Sequence, residues 1–480
     1  GNTVQISYLN YKTLNFDIDL KQTAVDLGVI KMKPEVIAME DIVISQSVAV
    51  QRRTPVAVAT VPVQEIELKL GGQEFPEVLK STPGVYVTKD GGGYGDSKIN
   101  MRGFKSANIA VMINGVPVND MEWGGLYWSN WAGLSDVTRS MQTQRGMGAS
   151  KISSPSVGGT INIITNTIDA KKGGTISYGI GNDGANTVSA SVSTGLMDNG
   201  WAMSVLLAKR WGDGYIQGTG YSAYNWFFNI SKRINDNHQI SLTAFGSPQT
   251  HNQRKPLYAG LSIEEWDKVA KWTGEKNKYR YNAVYGFDKN GKERSSMTNT
   301  YHKPQISLNH QWQIDHKSSL STALYMSIGR GSGYSGQGRT SAYRSMWNGS
   351  SNGILLTNFR KEDGTFDYAA IQEMNAASET GSNMIMSKSN NNHMWYGLLS
   401  TYTNEILPGL ELSAGVDVRY YVGEHTNEII DLYDGAYFID DADRKNVKPE
   451  NNIAATDPNW KNEKLTVGDI VYRDYDGHVH

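Results

Sequence analysis

The chain has 480 residues, more than one ordinary domain holds, so two or three units are expected. Its 46 Lys and Arg against 48 Asp and Glu leave a net charge of −2, which gives no electrostatic footprint for nucleic acid. Cysteine is absent, which excludes disulfides, thiolate metal sites and cysteine nucleophiles. Hydrophobic residues make up 39%, low for a globular protein, while Gly 50 and Tyr 26 are high. No stretch approaches about 18 consecutive apolar residues, so no transmembrane helix is predicted. A transmembrane barrel stays compatible, because alternating lipid-facing and lumen-facing residues keep its mean hydropathy polar. Gly1 opens with neither a charged nor an apolar leader region, so any signal peptide is expected to have been removed.

Residues Gly1 to about Ile44 alternate like a small β domain, through Val4, Ile6 and Tyr8, then Phe16, Ile18 and Leu20, then Val25, Leu27 and Val29. They supply too few strands for a core of their own and read as the tail of a domain. From about Ser45 to Ala170, short strands mix with turn-rich loops. Glu74–Leu79 predicts a helical turn and Val85–Thr88 a strand. Ala107–Ile113 predicts a strand that ends at an Asn114-Gly115 turn, and Thr160–Thr165 a further one.

From Lys171 onward the dominant signal is period-2 alternation, in about nine long strand candidates. The cleanest is Leu410–Val422, where Leu410, Leu412, Ala414, Val416, Val418 and Tyr420 share one face and Glu411, Ser413, Gly415, Asp417 and Arg419 the other. The others are Thr175–Gly181, Thr187–Leu196, Trp201–Trp211, Tyr224–Arg233, Gln239–Gly246, Pro304–Trp312, Ser318–Ile328 and Met394–Thr403. Every second connection is tight: Met197–Gly200, Ile234–Asn237, Gln313–His316 and Asn404–Gly409. The alternate ones lengthen to Ser247–Lys303 and Gly329–His393. Short turns at one end and long loops at the other are the asymmetry of an outer-membrane barrel, and loops of that length would count against a compact soluble domain. Trp201 and Trp312 sit at short-turn ends; Trp211, Trp226, Trp395, Tyr420 and Tyr421 sit near long-loop ends, as interfacial girdles would. Within the long loops, Ser262–Trp266 has the look of a capped helix start and Tyr368–Ala377 of a short helix.

Several motifs then fall in a recognisable order. Ser81-Thr82-Pro83-Gly84-Val85, Met101-Arg102-Gly103-Phe104, Val111–Val118, Gln144-Arg145-Gly146 and Ser154–Thr165 resemble the plug domain of TonB-dependent transporters. Gly246–His251 and Gly329–Tyr334 look like loop motifs of that family, and Gly1–Ala38 like the end of a carboxypeptidase-regulatory-like sandwich. The resemblance implies an all-β membrane protein, a transmembrane antiparallel β-barrel with an N-terminal α+β plug in its lumen. It divides the chain into a sandwich end at 1–38, a TonB box and linker at 39–63, a plug at 64–170 and the first part of the barrel at 171–480. A full barrel of the family has roughly 22 strands. The remainder is expected elsewhere, with the break in the external stretch Gly423–His480, because an open edge in hydrocarbon would leave N–H and C=O groups without partners.

The same resemblance assigns sites. Glu40-Asp41-Ile42-Val43-Ile44-Ser45 resembles the TonB box, a β-prone segment to which a partner adds a strand. Arg102 and Arg145 look like plug arginines that face wall carboxylates, with Glu411 and Asp417 as candidate partners. Trp123, Tyr127, Trp128 and Trp131, around Gly124-Gly125, form a candidate substrate-contacting apex; the alternative is a loop held together by its own aromatics. Gly91–Gly95 lacks the lysine-hydroxyl pair of a phosphate cradle, and Asp440, Asp441 and Asp443, or Asp474 and Asp476, fit no EF-hand spacing. No enzyme signature, metal site or cofactor is expected; Gly333-Tyr334-Ser335-Gly336 fails GxSxG at Gln337. The implied function is active uptake of a scarce solute across the outer membrane, with TonB and its proton-driven motor as partners. A metal chelate such as a siderophore or haem is favoured over a glycan or peptide. A passive porin and a protein-binding outer-membrane component are the rival classes, and a surface lipoprotein is a further candidate partner. The N-terminal region is expected in the periplasm and the long loops outside the cell.

Overall fold

A computed structural model describes residues 2–8, 11–18, 29–31, 57–71, 73–89, 94, 95, 97–145, 156–165, 167–254, 261–440 and 463–479. The segment 40–45 lies outside these residues, as does most of 91–95. The chain opens with an antiparallel hairpin, β1 (Asn2–Tyr8) and β2 (Tyr11–Ile18), with Val4 in register with Phe16.

A small α+β unit follows. Its strands are β3 (Ala57–Pro62), β4 (Val85–Lys89), β5 (Ser97–Met101), β6 (Ile109–Ile113), β7 (Val116–Pro117), β8 (Thr138–Arg145) and β9 (Gly159–Thr165). The main sheet runs β3-β8-β9-β6-β7, with β6 and β9 parallel, and β4 pairs β5 apart from it. All residues of β6 and β9 are buried, which is why β6 reads as an unbroken apolar run rather than an alternation, while β9 also buries Thr160, Asn162 and Thr165. Asn114 and Gly115 both take positive φ, as the hairpin between β6 and β7 requires, and Asn114 also ties that turn to β9 by accepting from the Thr165 N–H at 2.9 Å. Glu74 and Glu77 form a capping box that starts the 3-10 turn Phe75–Ser81. β3 corrects the expected layout: Ala57–Pro62, read as linker, is the edge strand of this sheet and ends where Pro62 has no N–H to give.

The second sheet is an antiparallel meander. Its order is β10 (Gly173–Ile180), β11 (Asn186–Ser193), β12 (Trp201–Gly212), β13 (Tyr221–Arg233), β14 (His238–Gly246), β19 (Gln305–Gln313), β20 (Ser318–Gly338), β24 (Met384–Leu407), β25 (Leu410–Asp431) and β26 (Ile470–Val479). All nine predicted strands are present. β26 is a tenth, inside the stretch expected to be loop; it pairs with β25 from Tyr421 to Glu428. Two short strands, β15 (Gln249–Asn252) and β18 (Thr298–His302), prolong β14 and β19 past Ser247-Pro248 and Lys303-Pro304. Gly329–Tyr334, expected as a loop motif, lies inside β20 instead.

The reason is length. β20, β24 and β25 have 21, 24 and 22 residues, whereas a strand crosses hydrocarbon in about 9–11. At about 3.3 Å per residue, roughly half of each stands beyond the membrane on the long-loop side. Lipid-side positions are exposed and apolar, among them Ile176, Val192, Leu207, Leu324, Leu398 and Val416. The opposite parity buries polar side chains, and Asn229, Ser231, Ser241 and Thr243 there hydrogen-bond one another at 2.8 Å.

The girdle reading is right in part. At the short-turn end Lys232 Nζ lies 5.0 Å from the Trp201 ring, and His238, His310 and Trp312 stack at 5.3 Å centroid spacing. At the other end Lys209 lies over Trp211 and Tyr224. Trp395 and Tyr421 are not girdle residues: they have the inward parity and are buried.

The long connections fold into a cap. β16 (Gly286–Phe287), β17 (Glu293–Arg294) and β23 (Phe366–Asp367) form one small sheet, and β21 (Ser350–Ser351) pairs β22 (Ile354–Leu355). Two of its helices match the sequence. Ile263–Thr273 is N-capped by Ser262, whose hydroxyl accepts from Glu265 N–H, and Tyr368–Ala376 is capped by Asp367. Trp347, Phe366, Tyr368, Ile371, Met384 and Tyr433 make an aromatic core, and Arg294 ties the connection before β18 to Asp431 of β25 at 3.4 Å. Trp347 is 2% exposed. Trp347→Ala should therefore cost the cap about 3–5 kcal/mol, read as protease cleavage in the long loops while the barrel keeps its heat-modifiable gel mobility. Loops that resist protease as the wild type does would contradict this core.

Candidate functional site: the cavity between the small unit and the sheet

The two parts share a core. Leu206, Phe227 and Phe245 of the sheet join the cluster of Leu79, Ile99, Trp131, Met141 and Ile161 from the small unit. Arg210 Nη2 meets Asp136 Oδ1 at 2.8 Å, and Tyr94 stacks on Tyr221 at 4.5 Å between centroids. Burial pushes the Tyr94 hydroxyl far above its ordinary pKa, and the nearby Arg210 charge offsets only part of this. Gly133 touches the sheet so closely that a Cβ there would fall 2.2 Å from Asn225 Cβ.

Above this contact, the connection after β7 rises as an apex. Asn119 holds its base, accepting from Val111 N–H at 2.7 Å and donating to the Ile109 and Gly124 carbonyls. Asp120 Oδ1 caps the turn by accepting from the N–H groups of Glu122 and Trp123. Gly125 has no side chain because the Trp123 ring folds back onto it; a Cβ would lie 1.7 Å from that ring. Trp123 then rests against Tyr127 at 5.2 Å.

Between this apex and the long-loop end of the sheet is a cavity of about 380 Å³. The apex side contributes Asp120, Glu122, Trp123, Tyr127 and Trp131. The sheet side contributes His251, Tyr301, Lys303, His393, Tyr421 and His425. Glu122 Oε2 bridges to His425 Nε2 at 2.8 Å across the two parts. Of the predicted apex residues, Trp123 and Tyr127 are 45% and 62% exposed and Trp131 lines the cavity from below. Trp128 does not reach it: it is 5% exposed and packs edge-on against Phe75 in the core. The loop is thus held together by its own aromatics and at the same time open to the cavity.

The predicted arginines do other work in this structure. Arg145 Nη1 donates to the Pro83 carbonyl at 2.9 Å, and Arg102 sits exposed at φ 52 in the turn after β5. Asp417, their candidate partner, pairs with Arg419 two residues along its own strand. The sequence reading missed Lys303, His393 and His425; their signal was inward parity on strands assigned to loops. Among the described residues no cluster of three His, Asp or Glu side chains has metal-binding geometry.

Residues 50–160 match the model of the TonB-dependent receptor plug domain. That segment is thus a plug domain of the TonB-dependent receptor type, and the sheet that follows it has the fold of the barrel wall of such receptors. It resembles the vitamin B12 transporter BtuB of Photobacterium profundum at 28% identity, over 40% of this chain and 32% of that protein. The same transporter of Vibrio cholerae matches at 30%, over 32% and 24%. In fold it is similar to the ferric citrate transporter FecA (TM-score 0.52, 15% identity, 78% of this chain and 49% of that one). It is also similar to the ferric yersiniabactin uptake receptor FyuA of Yersinia pestis (0.53, 12%, 78% and 50%). The matched region is thus about a quarter to a third of the B12 transporters and about half of the solved receptors. These relatives are transporters and receptors of the outer membrane, not enzymes.

The plug–wall contact makes a direct prediction. Gly133→Ala forces the two parts to separate locally, which should cost about 1–3 kcal/mol and expose the plug to protease. A variant that melts and digests as the wild type does would show that the contact is not tight.

Proposed function

We propose that this receptor imports a scarce solute across the outer membrane, driven by TonB. The observation that supports this most is the cavity itself. The plug packs against the wall's inner face, and a recess of ligand size opens beside its apex toward the long-loop side. Glu40–Ser45 is the proposed TonB box, where an added partner strand would transmit a pull to the plug through β3. The relatives named for vitamin B12 and for ferric chelates make the same coarse reading. A metal chelate such as a siderophore or haem is the favoured cargo, and a glycan or peptide the alternative within this mechanism. A passive channel is the rival class; the shared plug–wall core argues against it.

In the full-length protein, deleting residues 40–47 should reduce accumulation of ferric chelate or haem to background under iron limitation, with binding to whole cells changed by no more than about threefold. Unchanged uptake would favour the passive channel. Replacing Trp123→Ala together with Tyr127→Ala should weaken binding about tenfold, the loss expected from two partly exposed stacking surfaces.

A further inference from the structure

Lys303 stands on the inward face of the wall, in the alternation Asn299, Tyr301, Lys303, Gln305, where β18 gives way to β19. It is 5% exposed. Its Nζ lies 4.8 Å from the Trp395 ring and 5.7 Å from the Trp131 ring. Among the described residues its Nζ makes no hydrogen bond and no ion pair. Two π faces replace only part of the hydration that a buried ammonium gives up. Two further nitrogens of the same cavity are buried without a hydrogen-bond partner. Trp131 Nε1 is buried with no acceptor, and so is His393 Nε2, although His393 Nδ1 meets the Tyr301 hydroxyl at 3.0 Å.

The acids of the cavity answer this need only in part: the Asp120 charge favours the ammonium without hydrogen-bonding it. Asp120 Oδ1 is occupied by two backbone N–H groups, and Glu122 faces His425. What is left for a ligand is therefore a cation and an indole donor beside aromatic faces. A neutral solute would leave the ammonium without a hydrogen-bonded counter-charge; a polyanion would find one cation, next to two carboxylates.

We propose that Lys303 is the anchor for a carboxylate of the solute, and that this receptor's cargo carries an acidic group beside a flat ring. The proposal rests on the cavity being the solute site. Ring and acid would be bound together, the ring against the apex aromatics Trp123 and Tyr127 and the carboxylate oxygens on Lys303 Nζ.

The test is isothermal titration calorimetry of the full-length protein in detergent with 2-naphthoate and with 2-naphthamide, which share a ring and differ in charge. The wild type should bind the acid at least about tenfold more tightly than the amide, and Lys303→Met should erase that preference while leaving the amide within about twofold. Lys303→Arg should keep part of the preference, which guards against a mere folding defect. Equal binding of acid and amide by the wild type, no binding of the acid, or an undiminished preference in Lys303→Met each overturns the proposal. The paired Trp123→Ala, Tyr127→Ala variant separates the two levels. If it weakens both probes while Lys303→Met changes nothing, the lysine assignment alone falls. If it too changes nothing, the cavity is not the site.

Discussion

A wall strand of this protein meets hydrocarbon on one side and a folded domain on the other, and no water is available within the bilayer to complete its backbone. Every N–H and C=O must therefore be spent on the neighbouring strand, and only the side-chain parity is left to choose between the two surroundings. The strands from β12 to β25 follow this: Leu207, Leu324 and Val416 take the lipid side, while Ser204, Asn229 and Thr243 take the lumen. The plug, the cavity and the cap are arranged around that constraint.

The lumen side is not uniformly polar, and the exceptions locate the plug. Leu206, Phe227 and Phe245 break the polar parity where plug side chains cover them, so a single core runs from one part into the other. Arg210 and Asp136 add direction to that contact, and Gly133 sets its distance. Higher up, parity delivers Tyr301, Lys303, His393 and Tyr421 to the inner face opposite the apex loop. The recess exists because the long strands continue outward past the point where the plug stops.

Parity is also what made the wall legible from sequence. Leu410–Val422 showed it in pure form, and each predicted strand is present. What escaped had a physical cause in each case. β26 carries charges on a short stretch and does not alternate cleanly. β8 buries Thr143 and Gln144 between the rest of the plug sheet and its surroundings, so no apolar signal marks it. β15 and β18 are cut from their parent strands by Pro248 and Pro304, which read as loop. Trp128 looked like part of the apex because composition cannot tell which of four neighbouring aromatics turns inward. The cavity needed residues far apart in sequence, from Asp120 to His425, and no local pattern brings those together.

Energised uptake requires that the plug close the wall's lumen until it is moved. Conductance of the full-length protein in a planar bilayer tests this most directly. The native protein should carry no steady current, and removal of residues 57–165 should open a stable channel. A native protein that conducts steadily, with its plug present, would contradict the account and make it a passive pore.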